Sequence, residues 1–224
     1  MTPRQLRKMI KEGREISNAN LQGLDLRGLD LAGGIFLDTG LSGANLSGAQ
    51  VNGSMFVGCQ LKGAVFEQAD ADQCTFHRGD ASGMRMDGAR VDQVAFHDIG
   101  LSDAHFDGAV AGMLSFADCD ASGASFTSLT SEMMVFYDTR LERADFSGSV
   151  LEKTTFYQAD LRSAVFSRCH FPRTMFVESN LAGQAFRDQE FELCQFVDAD
   201  LSGCDFDGGT LNQCNFKGAR FAGG

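Results

Sequence analysis

The fold predicted by this sequence is an all-β solenoid behind one short helix, and three observations lead to it. Sampling every fifth residue from Ile16 to Phe221 meets 20 Phe, 13 Leu, four Ala, two Val and one each of Ile, Met and Ser, with no insertion or deletion. Every Phe of the chain falls in that frame. Two residues before the frame the occupants are mostly small, and all seven cysteines (Cys59, Cys74, Cys119, Cys169, Cys194, Cys204, Cys214) sit there; two residues after it Gly recurs, as at Gly23, Gly28, Gly33, Gly43 and Gly48.

Taken in order, residues 1–15 read as a capping helix. Thr2 is its N-cap, Pro3 lies in the first turn, Leu6, Met9 and Ile10 share one side, and Gly13 stops it. Its expected role is to cover the open core of the first coil, because a solenoid needs a cap at its end. From residue 16 to 224 the unit is small, polar, Leu or Phe, polar, Gly. A period of five matches neither the 3.6 of a helix nor the 2.0 of a flat strand. It fits a chain that turns a corner once per unit. The framed residue and the small one two before it point the same way, as i and i+2 do on an extended segment. Both face inward, and Gly relieves the backbone at the bend.

Units such as Ala19-Asn20-Leu21-Gln22-Gly23 and Ala44-Asn45-Leu46-Ser47-Gly48 resemble the pentapeptide-repeat family, usually written A-(D/N)-L-x-x, and the resemblance runs over residues 16–223. It implies a right-handed quadrilateral β-helix with four five-residue sides, hence twenty residues per coil and about ten coils. At the ~4.8 Å spacing of neighbouring strands the rod is on the order of 50 Å long.

Twenty-residue coils sort the sequence into columns. One inward column is Phe at every coil from Phe36 to Phe216, and the opposite column holds Phe66, Met86, Phe106, Phe126, Phe146, Phe166, Phe186 and Phe206. Between residues 71 and 131 the large slot shrinks to Ala71, Ala81, Ala111, Ala121 and Ser131, while the small slot swells to Met84, Val94, Ile99, Leu114, Leu129 and Met134. This reads as volume compensation, with a bend or waist there as a second expectation.

Outward positions single out one face. Beside the complete Phe column stand Leu37, Val57, His77, His97, Tyr137, Tyr157, Val177 and Val197, and on its other side Ile35, Met55, Thr75, Val135, Thr155 and Met175. Apolar and aromatic rows facing water make this the candidate partner face. Its edge is acidic, with Asp38, Asp98, Asp118, Asp138, Glu178 and Asp198; Asp72, Asp92, Glu132, Glu152 and Glu192 form a second acidic row on another face. At the far end the frame continues through Phe216 and Phe221, an apolar end expected to be covered by a second copy or a partner.

Composition narrows the function classes. The formal charge is −11; residues 1–15 carry five basic and two acidic groups, so the remainder has 14 basic and 28 acidic residues and a net of −14. An acidic body argues against direct nucleic-acid binding. No apolar stretch reaches the roughly 18–20 residues that span a bilayer, and no secretory leader is evident. An odd number of unpaired cysteines fits a reducing, cytoplasmic setting. His77 and His97 stack one coil apart but lack a third metal ligand of fixed geometry, and no nucleophile motif, phosphate loop or dinucleotide fingerprint is present. No enzyme activity, cofactor or metal is expected.

The expected function is therefore a protein-binding scaffold. The opening repeats, with Gly23-Leu24-Asp25-Leu26 and Gly28-Leu29-Asp30-Leu31, are similar to pentapeptide-repeat proteins of bacterial type VI secretion clusters, which implies a secretion component or effector as partner. The alternative implied by the family is DNA mimicry, with an acidic rod occupying the DNA site of gyrase and conferring quinolone resistance.

Overall fold

Strand pairing follows one rule throughout the computed structural model, which describes residues 1–221: each residue pairs in parallel with the one twenty positions on, as in Ile16↔Phe36, Phe56↔Phe76, Phe136↔Phe156 and Phe191↔Leu211. The result is a β-solenoid of about 10 turns. Strands Ile16–Ser17, Ile35–Leu37, Met55–Gln60, Thr75–Asp80, Val94–Gly100, Val110–Ala117, Thr130–Tyr137, Thr155–Tyr157 and Met175–Val177 stack in that order, and Val150–Leu151 joins them beside Thr130–Tyr137 to make a 10-stranded sheet. Phe171–Pro172, Glu190–Glu192 and Thr210–Asn212 form a second sheet on another side.

The corners explain the recurring glycine. In Leu41–Ala44 the Ala44 amide donates to the Leu41 carbonyl at 2.9 Å while Gly43 sits at φ +63°, the geometry of a type II turn, whose third residue must be left-handed. Where Gly is missing, polar residues accept the same conformation, among them Asp38 at φ 47°, Asp118 at 54° and Glu178 at 54°, and at one corner so does Leu193 at 57°. At Met113 and Met133 the chain does not take it, and the strand runs straight through the corner from Val110 to Ala117 and from Thr130 to Tyr137. Bulky side chains enter the left-handed region at a cost that Gly avoids.

The core is two facing aromatic ladders. Rings of the complete Phe column stack at 4.8–5.3 Å within 11° of parallel, from Phe36 to Phe216. They meet the opposite column edge-on, as Phe116 meets Phe126 at 5.5 Å and 81°. Offset stacking along a column and T-shaped contact across it are both favoured by the ring quadrupole. Between residues 71 and 131 the swollen small slot is packed inward: Met84, Val94, Ile99, Leu114, Leu129 and Met134 are all buried. The twenty-residue register runs unbroken through that stretch, so volume is exchanged between slots without a change in coil length.

The small slot also has a polar duty. Thr39, Ser54, Thr139, Thr174 and Ser179 each donate a hydroxyl hydrogen bond to the carbonyl 23 residues earlier, and the thiols of Cys74, Cys169 and Cys194 do the same at 2.8–2.9 Å. The cysteines are thus weak donors between coils as well as apolar filler. Two glutamines enter this slot further along. Gln184 reaches the carbonyls of Leu161 and Ala164, Gln189 reaches Phe166, and there Phe166 and Phe186 tilt by 38° and move to 5.9 Å.

At the N-terminus the helix α1 (Pro3–Lys11) is closed by a capping box: the Thr2 hydroxyl accepts from the Gln5 amide at 3.2 Å, and the Gln5 side chain accepts from the Thr2 amide at 2.8 Å. Leu6 is fully buried. Ile10 lies over Gly34 so closely that a methyl group there would come within 3.2 Å of it and 2.7 Å of the Phe36 ring. The helix therefore covers the first coil's core.

Candidate partner-binding face

The candidate residues fall on one side of the ten-stranded sheet. Phe36 and its column point inward, so the residues flanking each Phe point out in two parallel rows. The first row runs Leu37, Val57, His77, His97, Ala117, Tyr137 in direct register and continues through Tyr157 and Val177, with Val197 one coil further on. Along it Leu37, Val57, His77, Tyr157, Val177 and Val197 are half-buried by their neighbours, whereas His97 and Tyr137 are exposed. Tyr137 and Tyr157 stack at 5.1 Å and 4° from parallel, and Tyr137 keeps 49% of its surface in water. His77 and His97 lie 4.9 Å apart but turned by 63°.

The other row adds a shallow groove. Val135, Thr155 and Met175 line it together with Met133, Lys153 and Arg173 at the neighbouring corner. Met113 and Met133, brought to the surface by the two straight corners, are 47% and 38% exposed.

The first acidic row occupies the left-handed corner beside these residues. Asp118 lies 3.4 Å from His97 Nε2, and Glu178 accepts from Gln158 at 2.8 Å and from the Tyr157 hydroxyl at 3.5 Å. The proximity of Glu178 raises the Tyr157 pKa above that of an ordinary phenol, because a second negative charge beside a carboxylate is disfavoured. Asp38, Asp98, Asp138 and Asp198 are exposed. The row is interrupted by Gly58, Arg78 and Gln158.

The second acidic row is largely committed within the chain. Asp72 pairs with Arg90 and accepts from the Asp92 amide, Asp92 accepts from the Met113 amide at 2.9 Å, and Glu152 lies 3.4 Å from Arg173 and 3.6 Å from Lys153. Glu132 and Glu192 are exposed, and Gly112 and Pro172 break the sequence of charges. At the far end Phe216 stacks on Phe196 at 5.0 Å, while Leu211 and Phe221 remain 42% and 54% exposed among the described residues.

A family model for the pentapeptide repeat region matches residues 53–126 and 139–221, and a second model, of eight pentapeptide repeat copies, matches residues 19–56. The chain belongs to the pentapeptide-repeat family.

Among solved pentapeptide-repeat structures it is similar to HetL, a protein involved in heterocyst differentiation regulation from the cyanobacterium Nostoc sp. strain PCC 7120. The two share 20% identity over 99% of this chain and 97% of HetL, at a TM-score of 0.58. It is also similar to QnrB1, a plasmid-mediated fluoroquinolone resistance protein. Trypsin-treated QnrB1 gives 20% identity over 88% of this chain and 91% of that one at a TM-score of 0.55, and full-length QnrB1 gives 21% identity at 0.50. No curated protein matches by sequence. These likenesses describe a shared solenoid. Among the described residues no helix is long and apolar enough to cross a membrane.

Proposed function

We propose that this pentapeptide-repeat protein is a non-enzymatic scaffold that binds another protein through the outward rows beside its complete phenylalanine column. The observation carrying this reading is the Tyr137–Tyr157 stack, two aromatic rings held parallel on a rigid sheet with Tyr137 half in water. Tyr contributes large contact area at little entropic cost, which is why it recurs as an anchor at interfaces. Val135, Thr155 and Met175 extend the same surface across the column. The opening repeats direct the search for a partner toward bacterial secretion components and effectors, and the seven free cysteines direct it toward the cytoplasm. Leu211 and Phe221 support a second contact, self-association through the C-terminal coil.

Affinity capture from native lysate, with wild-type and Tyr137→Asp/Tyr157→Asp chains as matched baits, tests this. Capture of a defined partner that is lost with the altered bait supports the face; a partner retained by both baits places recognition elsewhere and sinks it.

The second reading is DNA mimicry. The acidic body and the fold shared with a fluoroquinolone resistance protein favour it. DNA offers one charge per roughly 1.7 Å of axis, whereas each acidic row here carries at most one per coil and is interrupted. Inhibition of gyrase supercoiling by the purified chain would put this reading first.

A further inference from the structure

We propose that Asp87, His105 and Asp107 bind a divalent transition-metal ion of the zinc, cobalt or nickel class on the outer wall of the solenoid. Coil stacking places Asp107 on the position twenty residues after Asp87, and His105 points out two residues before Asp107 on the same side. One ligand atom from each of the three lies within 4.8 Å of the others, the only such group of three among the described residues. The stacked pair His77 and His97 gains no third ligand of this kind.

The geometry is close to a coordination edge. His105 Nδ1 stands 3.5 Å from Asp107 Oδ2, and two ligands on a tetrahedral ion with bonds of about 2.1 Å are separated by about 3.4 Å. The Asp87 carboxylate has an oxygen within 4.8 Å of both other ligand atoms. Arg85 now holds it through a 3.1 Å contact, but Arg85 has a second carboxylate in hand, Glu67 at 2.8 Å, on which it can remain.

Two further observations point to a cation. The first is charge: Glu67, Asp87 and Asp107 contribute −3 and Arg85 +1, a balance of −2 that a divalent ion cancels. The second lies outside the three ligands. Asp107 Oδ1 accepts from the Ser125 hydroxyl, from the Thr127 amide at 3.0 Å and from the Thr127 hydroxyl at 2.7 Å. Those donors orient the carboxylate and leave Oδ2 for the ion, as outer-shell groups do in metal sites. One imidazole with two carboxylates suits borderline ions better than calcium or magnesium.

The test is calorimetric titration of the metal-stripped full chain with zinc chloride, beside melting curves with and without zinc. Expected is one saturable site per chain, a zinc-dependent rise in Tm, loss of both with His105→Ala, and affinity at least about tenfold weaker with Asp87→Asn. Both side chains lie on the outer wall, so circular dichroism of the metal-free variants should match wild type. Absence of saturable binding overturns the proposal. So does zinc binding that survives His105→Ala and disappears instead with His77→Ala/His97→Ala or with Cys204→Ser/Cys214→Ser.

Discussion

Gly79 passes so close to Cys59 that a Cβ on Gly79 would overlap the Cys59 carbonyl oxygen and lie 3.1 Å from that residue's carbonyl carbon and amide nitrogen. The pair sits in the small slot of adjacent coils, in direct register. Gly79 also has φ +120°, a conformation open to Gly and strained for any L side chain.

Gly79→Ala is therefore expected to lower stability by about 2 kcal/mol or more, since backbone strain of about 1–3 kcal/mol adds to a clash with main-chain atoms that cannot rotate away. Gly63→Ala, a left-handed corner with no atom near the new methyl group, should cost less. Denaturant melts of the two variants check the order, and equal losses would refute the steric account.

Phe116 stacks on Phe96 at 5.1 Å and Phe136 at 4.8 Å and meets Phe106 and Phe126 edge-on. Phe116→Ala should cost about 3–5 kcal/mol. Because each coil touches only its neighbours, hydrogen exchange should quicken first in the coils around residue 116 and not at α1. Uniform quickening along the chain would contradict this.

Burial pushes the thiols of Cys74, Cys169 and Cys194 up to about 12 and that of Cys119 up to about 11. They stay protonated at neutral pH, as their hydrogen bonds to carbonyls require. A thiol reagent applied to the native chain should label the half-buried Cys204 and Cys214 and spare the five buried cysteines. Peptide mass spectrometry reads the sites; early labelling of Cys74 would count against the closed wall.

Tyr157 should ionise at higher pH than an ordinary phenol, because Glu178 faces it. The sign follows from charge: phenolate beside carboxylate is disfavoured, so the proton is held to higher pH. Spectrophotometric titration of Glu178→Gln should bring the Tyr157 midpoint down. An unmoved midpoint would show that Glu178 does not act on the ring.

Much of this was readable from residue order. Thr2, Leu6 and Gly13 marked the helix, and a Phe every twenty residues marked the column on which the exposed rows are hung. The two straight corners were not readable, although Met113 and Met133 stand where Gly or a small polar residue usually does. Their preference decides a backbone conformation only when the neighbouring coil offers a partner strand, as Val110–Ala117 and Thr130–Tyr137 offer each other. Asp87 and Asp107 share a column by the twenty-residue repeat, but residue order does not show that a nitrogen of the His105 ring lies beside both carboxylates.

The periodicity of five is a local property, since alternation along an extended segment and a left-handed residue at each bend are set by near neighbours in the chain. Residue order alone was therefore enough to determine which side chains enter the core and which face water. Contacts between residues about twenty apart depend instead on coil stacking and side-chain rotamers. Only the three-dimensional structure decided that Tyr137 and Tyr157 lie parallel, that the small-slot thiols donate to carbonyls of the preceding coil, and that His105 meets two carboxylates.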